Sequence, residues 1–208
     1  SCFLPPQGPR PIKLSGCKKI PDIVLASSER LCPGNTAWSY LINMARKKIL
    51  RQKVSVTSEN VIETLGIGRK IDGYLEKGDI DCLAGQLGSG KTVLGKGFAH
   101  GLCISKNEVI SPSFVLLRIH KGRHLLHHFD LYRLKAPHDI LNLGYEEYFY
   151  SDGITIIEWP QRLKFLLPKE FLKIKLSNKS RNQRMLEFIA RGPRYKQLLK
   201  RIYENIRN

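Results

Sequence analysis

Apolar positions change period several times along this chain, and each change marks an element. Val61, Ile62 and Leu65 recur at helical spacing behind Thr57-Ser58-Glu59, which offers an N-cap and an acidic first turn, so a helix is expected from there until Gly78 stops it. Ile80-Asp81-Cys82-Leu83-Ala84 reads as a short buried strand, and Thr92 to Cys103 as the helix that follows it. Ser113 to Ile119 and His124 to Tyr132 read as two strands joined by a turn at Lys121-Gly122. Pro137 is placed to open a helix, and Glu146 to Tyr150 a second short one. The β-branched run Ile154-Thr155-Ile156-Ile157 predicts a central strand. Phe171–Leu176 and Arg184–Ile189 alternate as a late hairpin, and residues 194–206 end the chain as a basic helix. Strands interleaved with helices predict an α/β fold.

Upstream of Val54 the pattern is lost. Residues 1–36 carry Pro5, Pro6, Pro9, Pro11, Pro21 and Pro33 and no periodicity, which reads as loop. Residues 37–53 allow a short basic amphipathic helix with Trp38, Leu41, Ile42, Ala45 and Ile49 on one side. An organellar transit peptide is also basic and poor in acids, so that reading stays open. The expected organisation is therefore a poorly ordered basic extension over 1–53 and one folded domain over 54–208.

Charge follows the same division. The net charge is +17. Residues 1–53 hold 10 basic and 2 acidic side chains, residues 54–160 hold 11 and 13, and residues 161–208 hold 14 and 3. A nearly neutral body thus lies between two basic ends. Such ends suit a polyanion such as RNA or an acidic protein face, or serve as solvated charge that maintains solubility. The 5 cysteines are odd in number and lack a two-residue spacing, which disfavours a disulfide framework or zinc knuckle and fits a reducing compartment. No apolar run reaches the roughly 20 residues of a membrane span. A soluble, cytoplasmic protein with no membrane partner is the expectation.

The chemistry enters at Gly85-Gln86-Leu87-Gly88-Ser89-Gly90-Lys91-Thr92, a complete G-x-x-x-x-G-K-[ST] phosphate loop between a predicted strand and helix. Glycines let successive backbone N–H groups converge on phosphate oxygens, and the helix N-terminus adds partial positive charge. Lys91 is expected on the β- and γ-phosphates of a bound nucleotide and the Thr92 hydroxyl on Mg²⁺. Asp130, closing the strand from His124, is the best metal-side carboxylate, and Glu158, at the end of Ile154–Ile157, is the other. Both stand at strand ends, where ligands collect in open α/β sheets.

Five segments in this order carry a resemblance: the phosphate loop, Ser111-Pro112-Ser113-Phe114, His128-Phe129-Asp130-Leu131-Tyr132-Arg133-Leu134, Leu143-Gly144-Tyr145-Glu146-Glu147-Tyr148-Phe149, and Ile157-Glu158-Trp159-Pro160-Gln161-Arg162. Over about residues 54–190 the chain resembles TsaE, the bacterial ATPase of tRNA threonylcarbamoyladenosine synthesis. That resemblance implies a P-loop NTPase-like three-layer sandwich with a mixed, mainly parallel central sheet. It implies slow Mg²⁺-dependent ATP hydrolysis that resets a complex between turnovers. The implied partners are the threonylcarbamoyl-transferase subunit and its paralogous scaffold subunit, which modify the adenosine at position 37 of tRNAs reading codons that begin with A. The tRNA would be met indirectly or through the basic ends.

By the same resemblance, Lys91, Asp130 and Glu158 are catalytic. Ser113 stands in for a switch threonine near the metal or γ-phosphate, and Trp159 lies beside that phosphate. Thr64, within Glu63-Thr64, is expected close to the adenine. Arg133 and Arg162 match arginines for catalysis or partner docking. Gln86 replaces a usual acid inside the loop, Gln161 a common Glu, and Cys103 a usual Gly. Two rival functions remain open: a P-loop small-molecule kinase, and an ATP-responsive RNA-binding module. A zinc site among His120, His124, His127 and His128 is disfavoured, because adjacent His127 and His128 point to opposite strand faces. His128 is expected to pack or hydrogen-bond beside Asp130.

Overall fold

A computed structural model describes residues 53–105, 112, 115–136 and 138–206. The expected N-terminal extension thus lies almost wholly outside the described residues, as do Ser111, Ser113, Phe114 and Pro137.

Lys53–Ser58 forms a strand, β1, and not the opening of a helix. Val54 and Val56 alternate with Lys53, Ser55 and Thr57, a period of two carried by β-branched residues at a half-exposed edge. The first helix, α1, runs Val61–Asp72. Its N-cap is Asn60, whose Oδ1 accepts from the Glu63 N–H at 2.9 Å, while the Glu63 carboxylate accepts from the Glu59 N–H at 2.7 Å. The helix stops at Gly73, short of Gly78, and buried Leu75 then turns the chain toward the sheet. β2 (Ile80–Gly85) leads into the phosphate loop, and α2 (Lys91–Gly101) leaves it.

The remaining elements follow the predicted order with shifted ends: β3 (Leu117–Lys121), β4 (Leu125–Asp130), α3 (His138–Leu141), α4 (Tyr145–Phe149), β5 (Ile154–Glu158), β6 (Phe171–Asn178), β7 (Arg184–Arg191) and α5 (Pro193–Ile206). They build one 7-stranded sheet in the order β1-β7-β6-β2-β5-β4-β3. β6, β2, β5 and β4 run parallel at its centre, and β1, β7 and β3 add antiparallel margins. β2 therefore lies inside the sheet, and its run is buried on both sides.

Helices cover both faces, giving three layers. On one face α1, α2 and α5 enclose a core that includes Leu83, Leu94, Phe98, Phe188 and Ile202. On the other, Phe129 and Ile157 of the sheet cluster with Ile140 of α3 and Tyr145 and Phe149 of α4. The tightest crossing is α1 on α2, where Gly68 meets Gly97. A Cβ added at Gly97 would lie 2.3 Å from the Leu65 carbonyl oxygen and 2.9 Å from Gly68 Cα. The backbones touch there, which seats α2 and hence the phosphate loop.

Candidate nucleotide site

The loop conformation follows from its composition. Gly88 and Gly90 adopt φ of +76° and +100°, a region that side-chain-bearing residues rarely enter, so the chain curls and α2 begins at Lys91. The Ser89 N–H donates back to the Gln86 carbonyl at 3.2 Å and closes the turn. Lys91 is buried, and its ammonium donates to the carbonyls of Gly85 and Gln86 at 3.1 and 2.9 Å. It also lies 3.9 Å from the centroid of the Trp159 ring. Burial draws the Lys91 pKa below its ordinary value, and the carboxylates of Glu158 and Asp130 oppose that fall.

Beside the loop is a cleft of about 270 Å³ lined by Leu87, Gly88, Gly90, Lys91, Thr92, Val93, Asp130, Tyr132, Glu158, Trp159 and Arg184. Register brings its acids together: β4 and β5 are parallel neighbours with Asp130 opposite Glu158. The Thr92 hydroxyl donates to Glu158 Oε2 at 3.2 Å. Asp130 is buried, and its Oδ1 accepts from the Tyr132 N–H at 3.0 Å. Hydroxyl and carboxylate oxygens at the end of a phosphate loop are the hard donors Mg²⁺ takes, with the remaining positions left to phosphate and water. Among the described residues no group of three or more His, Cys, Asp or Glu side chains forms a cage for a metal.

The cleft gathers Leu87, Gly88, Gly90, Lys91, Thr92, Asp130, Glu158 and Trp159 of the expected residues. Gly85, Gln86 and Ser89 are not among its lining residues; Ser89 is buried and Gln86 exposed. Thr64 is fully buried outside the cleft, with its hydroxyl bonded to Ser58 Oγ at 2.7 Å and to the Asn60 carbonyl at 3.0 Å. Arg133 and Arg162 are exposed and do not line the cleft. Ser113 lies outside the described residues. His127 and His128 do face opposite sides: His127 Nδ1 is 3.1 Å from the Tyr148 carbonyl, and His128 Nε2 is 3.0 Å from Glu158 Oε1. His128 thus hydrogen-bonds beside Asp130, to Glu158, which stands opposite Asp130 on the neighbouring strand.

Of the lining residues that sequence reasoning missed, Val93, Tyr132 and Arg184, the charged one is Arg184. It stands at the start of β7, opposite Ser58 of β1, and its Nε lies 3.0 Å from where a Gly90 Cβ would be. Nothing local distinguishes it from the other basic residues of the C-terminal third; only the sheet order carries it to the loop. A larger cleft, about 950 Å³, opens at the other end of β2 among Asp79, Tyr145, Phe165 and Arg194, with no phosphate loop beside it. No described helix is long and apolar enough to cross a membrane.

Known proteins share this arrangement of sequence and fold. The family described as threonylcarbamoyl adenosine biosynthesis protein TsaE matches residues 58–186. The tRNA threonylcarbamoyladenosine biosynthesis protein TsaE of Bacillus subtilis (strain 168) is 35% identical over 152 residues, covering 72% of this chain and 94% of that protein. The protein of the same name from Treponema pallidum (strain Nichols) is 38% identical over 119 residues, covering 57% of this chain and 87% of its own. The crystal structure of Bacillus subtilis YdiB superposes with a TM-score of 0.65 at 31% identity, covering 74% of this chain and 96% of that one. The matched span runs from the end of β1 into β7 and takes in the phosphate loop, both facing carboxylates and Arg184, so this chain belongs to the TsaE family of tRNA threonylcarbamoyladenosine biosynthesis.

Proposed function

We propose that this chain is the Mg²⁺-dependent ATP-binding and ATP-hydrolysing subunit of the cytoplasmic machinery that forms N6-threonylcarbamoyladenosine at position 37 of tRNAs reading codons that begin with A. The observation that carries this reading is the convergence of Thr92, Asp130 and Glu158 beside a complete phosphate loop. Backbone N–H groups and the N-terminus of α2 bind the phosphates, and Lys91 leaves its loop carbonyls for phosphate oxygens. Thr92, Asp130 and Glu158 would hold the Mg²⁺, which supplies charge neutralisation on the phosphates. Trp159 and Tyr132, with ring centroids 5.1 Å apart, form one wall of the cleft. Ser113 is proposed to add a second hydroxyl, and Arg133 and Arg162 to meet the partner subunits.

The partners on this reading are the threonylcarbamoyl-transferase subunit and its paralogous scaffold subunit, with tRNA reached through them or through the basic termini. The test compares phosphate release by the chain alone with release in the presence of both subunits and tRNA. Stimulation is expected, and Lys91→Ala and Asp130→Ala each abolish it. Phosphate transfer to a metabolite, or tRNA binding without stimulated hydrolysis, would select the kinase or the RNA-binding module instead.

A further inference from the structure

Glu158 is held from two sides. Its Oε2 receives the Thr92 hydroxyl at 3.2 Å, and its Oε1 meets His128 Nε2 at 3.0 Å. Both His128 and Glu158 are almost fully buried, at 1% and 2% side-chain exposure, so bulk water does not compete for Oε1. The fold makes this pairing. β4 and β5 are in parallel register with His128 opposite Ile156 and Asp130 opposite Glu158, and side chains two apart on a strand share a face. His128 therefore lies one step behind the acid pair, on the same face. α2 crosses that face with Thr92 over Glu158 and Gly95, one helical turn further on, over the imidazole. A Cβ at Gly95 would already touch His128 Cε1 and Nε2 at 3.9 Å, so a larger residue would displace the ring.

A carboxylate accepts only, so His128 must present its Nε2–H to Oε1. Pinned this way, Glu158 cannot rotate both oxygens toward the cleft, and Oε2 alone faces Thr92. Without the imidazole, the carboxylate gains rotamer freedom and leaves Oε1 buried without a donor, at a cost in energy. We infer that His128 is a positioning residue: through the hydrogen bond to Oε1 it fixes the Glu158 carboxylate in the orientation that serves the metal side of the phosphate site. This inference rests on the nucleotide reading above, and it acts through Glu158 without contact to nucleotide.

The test reads Mg²⁺ dependence of nucleotide binding, separately from turnover. Affinity of the full chain for a non-hydrolysable ATP analogue is measured by calorimetry across a Mg²⁺ titration, for wild type, His128→Ala, His128→Gln and His128→Asn. Gln places an amide N–H near the Nε2 position and Asn does not reach it. The expected result is a rise of about 10-fold or more in the Mg²⁺ needed by His128→Ala and His128→Asn, the scale on which supporting partners of ligands act. His128→Gln should recover most of that loss, and affinity without Mg²⁺ should stay within about twofold of wild type. In the assembled complex the same variants should lower kcat with KM for ATP little changed. Should His128→Ala fail to fold, the comparison of Gln with Asn carries the same decision. Equal Mg²⁺ dependence in all variants that fold, or equal behaviour of Gln and Asn, overturns the inference. Wild-type protein with no Mg²⁺-dependent binding at all overturns the nucleotide reading instead.

Discussion

Replacing glycine by alanine at two positions of α1, only two residues apart, should shift stability in opposite directions. Glycine in a helix interior costs about 1 kcal/mol relative to alanine, so propensity alone favours both Gly66→Ala and Gly68→Ala. At Gly66 an added Cβ meets nothing within 4 Å, and the helical gain stands. At Gly68 the Cβ would lie 2.5 Å from the Leu94 carbonyl oxygen, 3.0 Å from Gly97 Cα and 3.1 Å from Phe98 N. All three are backbone atoms, so no side chain can swing aside, and α1 must retract from α2 by about 1 Å to restore ordinary contact. Overpacking of this kind costs about 3 kcal/mol at the upper end of its usual range, leaving a net loss of roughly 2 kcal/mol. For a domain of this size each kcal/mol moves Tm by about 2–4 °C, so Gly66→Ala should melt a few degrees higher and Gly68→Ala about 4–8 °C lower. Urea unfolding followed by far-UV circular dichroism gives the free energies directly. Because α2 carries Lys91 and Thr92, Gly68→Ala should also bind ATP more weakly. A Gly68→Ala midpoint at or above that of wild type would refute the backbone-contact argument, as would parallel shifts of the two variants.

Other consequences follow from buried charge and from the cleft. Asp81 is fully buried, and neither carboxyl oxygen has a hydrogen-bond partner among the described residues; burial, then the nearby Asp79 and Asp72, hold its pKa well above the usual carboxylate range. A raised folded pKa means the native state keeps the proton that the unfolded chain releases. This penalty is absent below the unfolded pKa near 4 and grows by up to about 1.4 kcal/mol per pH unit above it. Asp81→Asn, which cannot ionise, should thus match wild-type stability at pH near 4 and exceed it increasingly toward neutrality; a difference independent of pH would contradict this. Arg184→Ala should weaken ATP affinity about tenfold, the loss of one charge-assisted contact, whereas unchanged affinity by calorimetry would place Arg184 outside the nucleotide's reach. In a Trp38→Phe background, Trp159 fluorescence should change when ATP draws the Lys91 ammonium off its ring, and Lys91→Ala should remove that response; binding detected independently with no change in emission would speak against it.

Local chemistry makes part of this protein legible from sequence. A phosphate loop is eight consecutive residues whose glycines set their own backbone, so Gly85–Thr92 declares itself wherever it stands. The buried strands β2 and β5 are short apolar runs, and the β6–β7 hairpin alternates, so these elements too follow from neighbours in sequence. Asp130 and Glu158 were legible as acids at strand ends. That they face one another was not, because it depends on parallel register between segments 28 residues apart in sequence. Boundaries were less readable: Thr57 and Ser58 look like helix caps, but the edge of β7 claims them for β1 and leaves the cap to Asn60. Arg184 reaches the loop only because β7 lies between β1 and β6, and His128 reaches Glu158 only because β4 and β5 pair in parallel register. Sequence thus determined which groups make up the glycine-rich loop, since that pattern is short-range and contiguous. Tertiary structure decided which groups flank and orient them, since strand order, register and helix approach are settled by packing over the whole sheet.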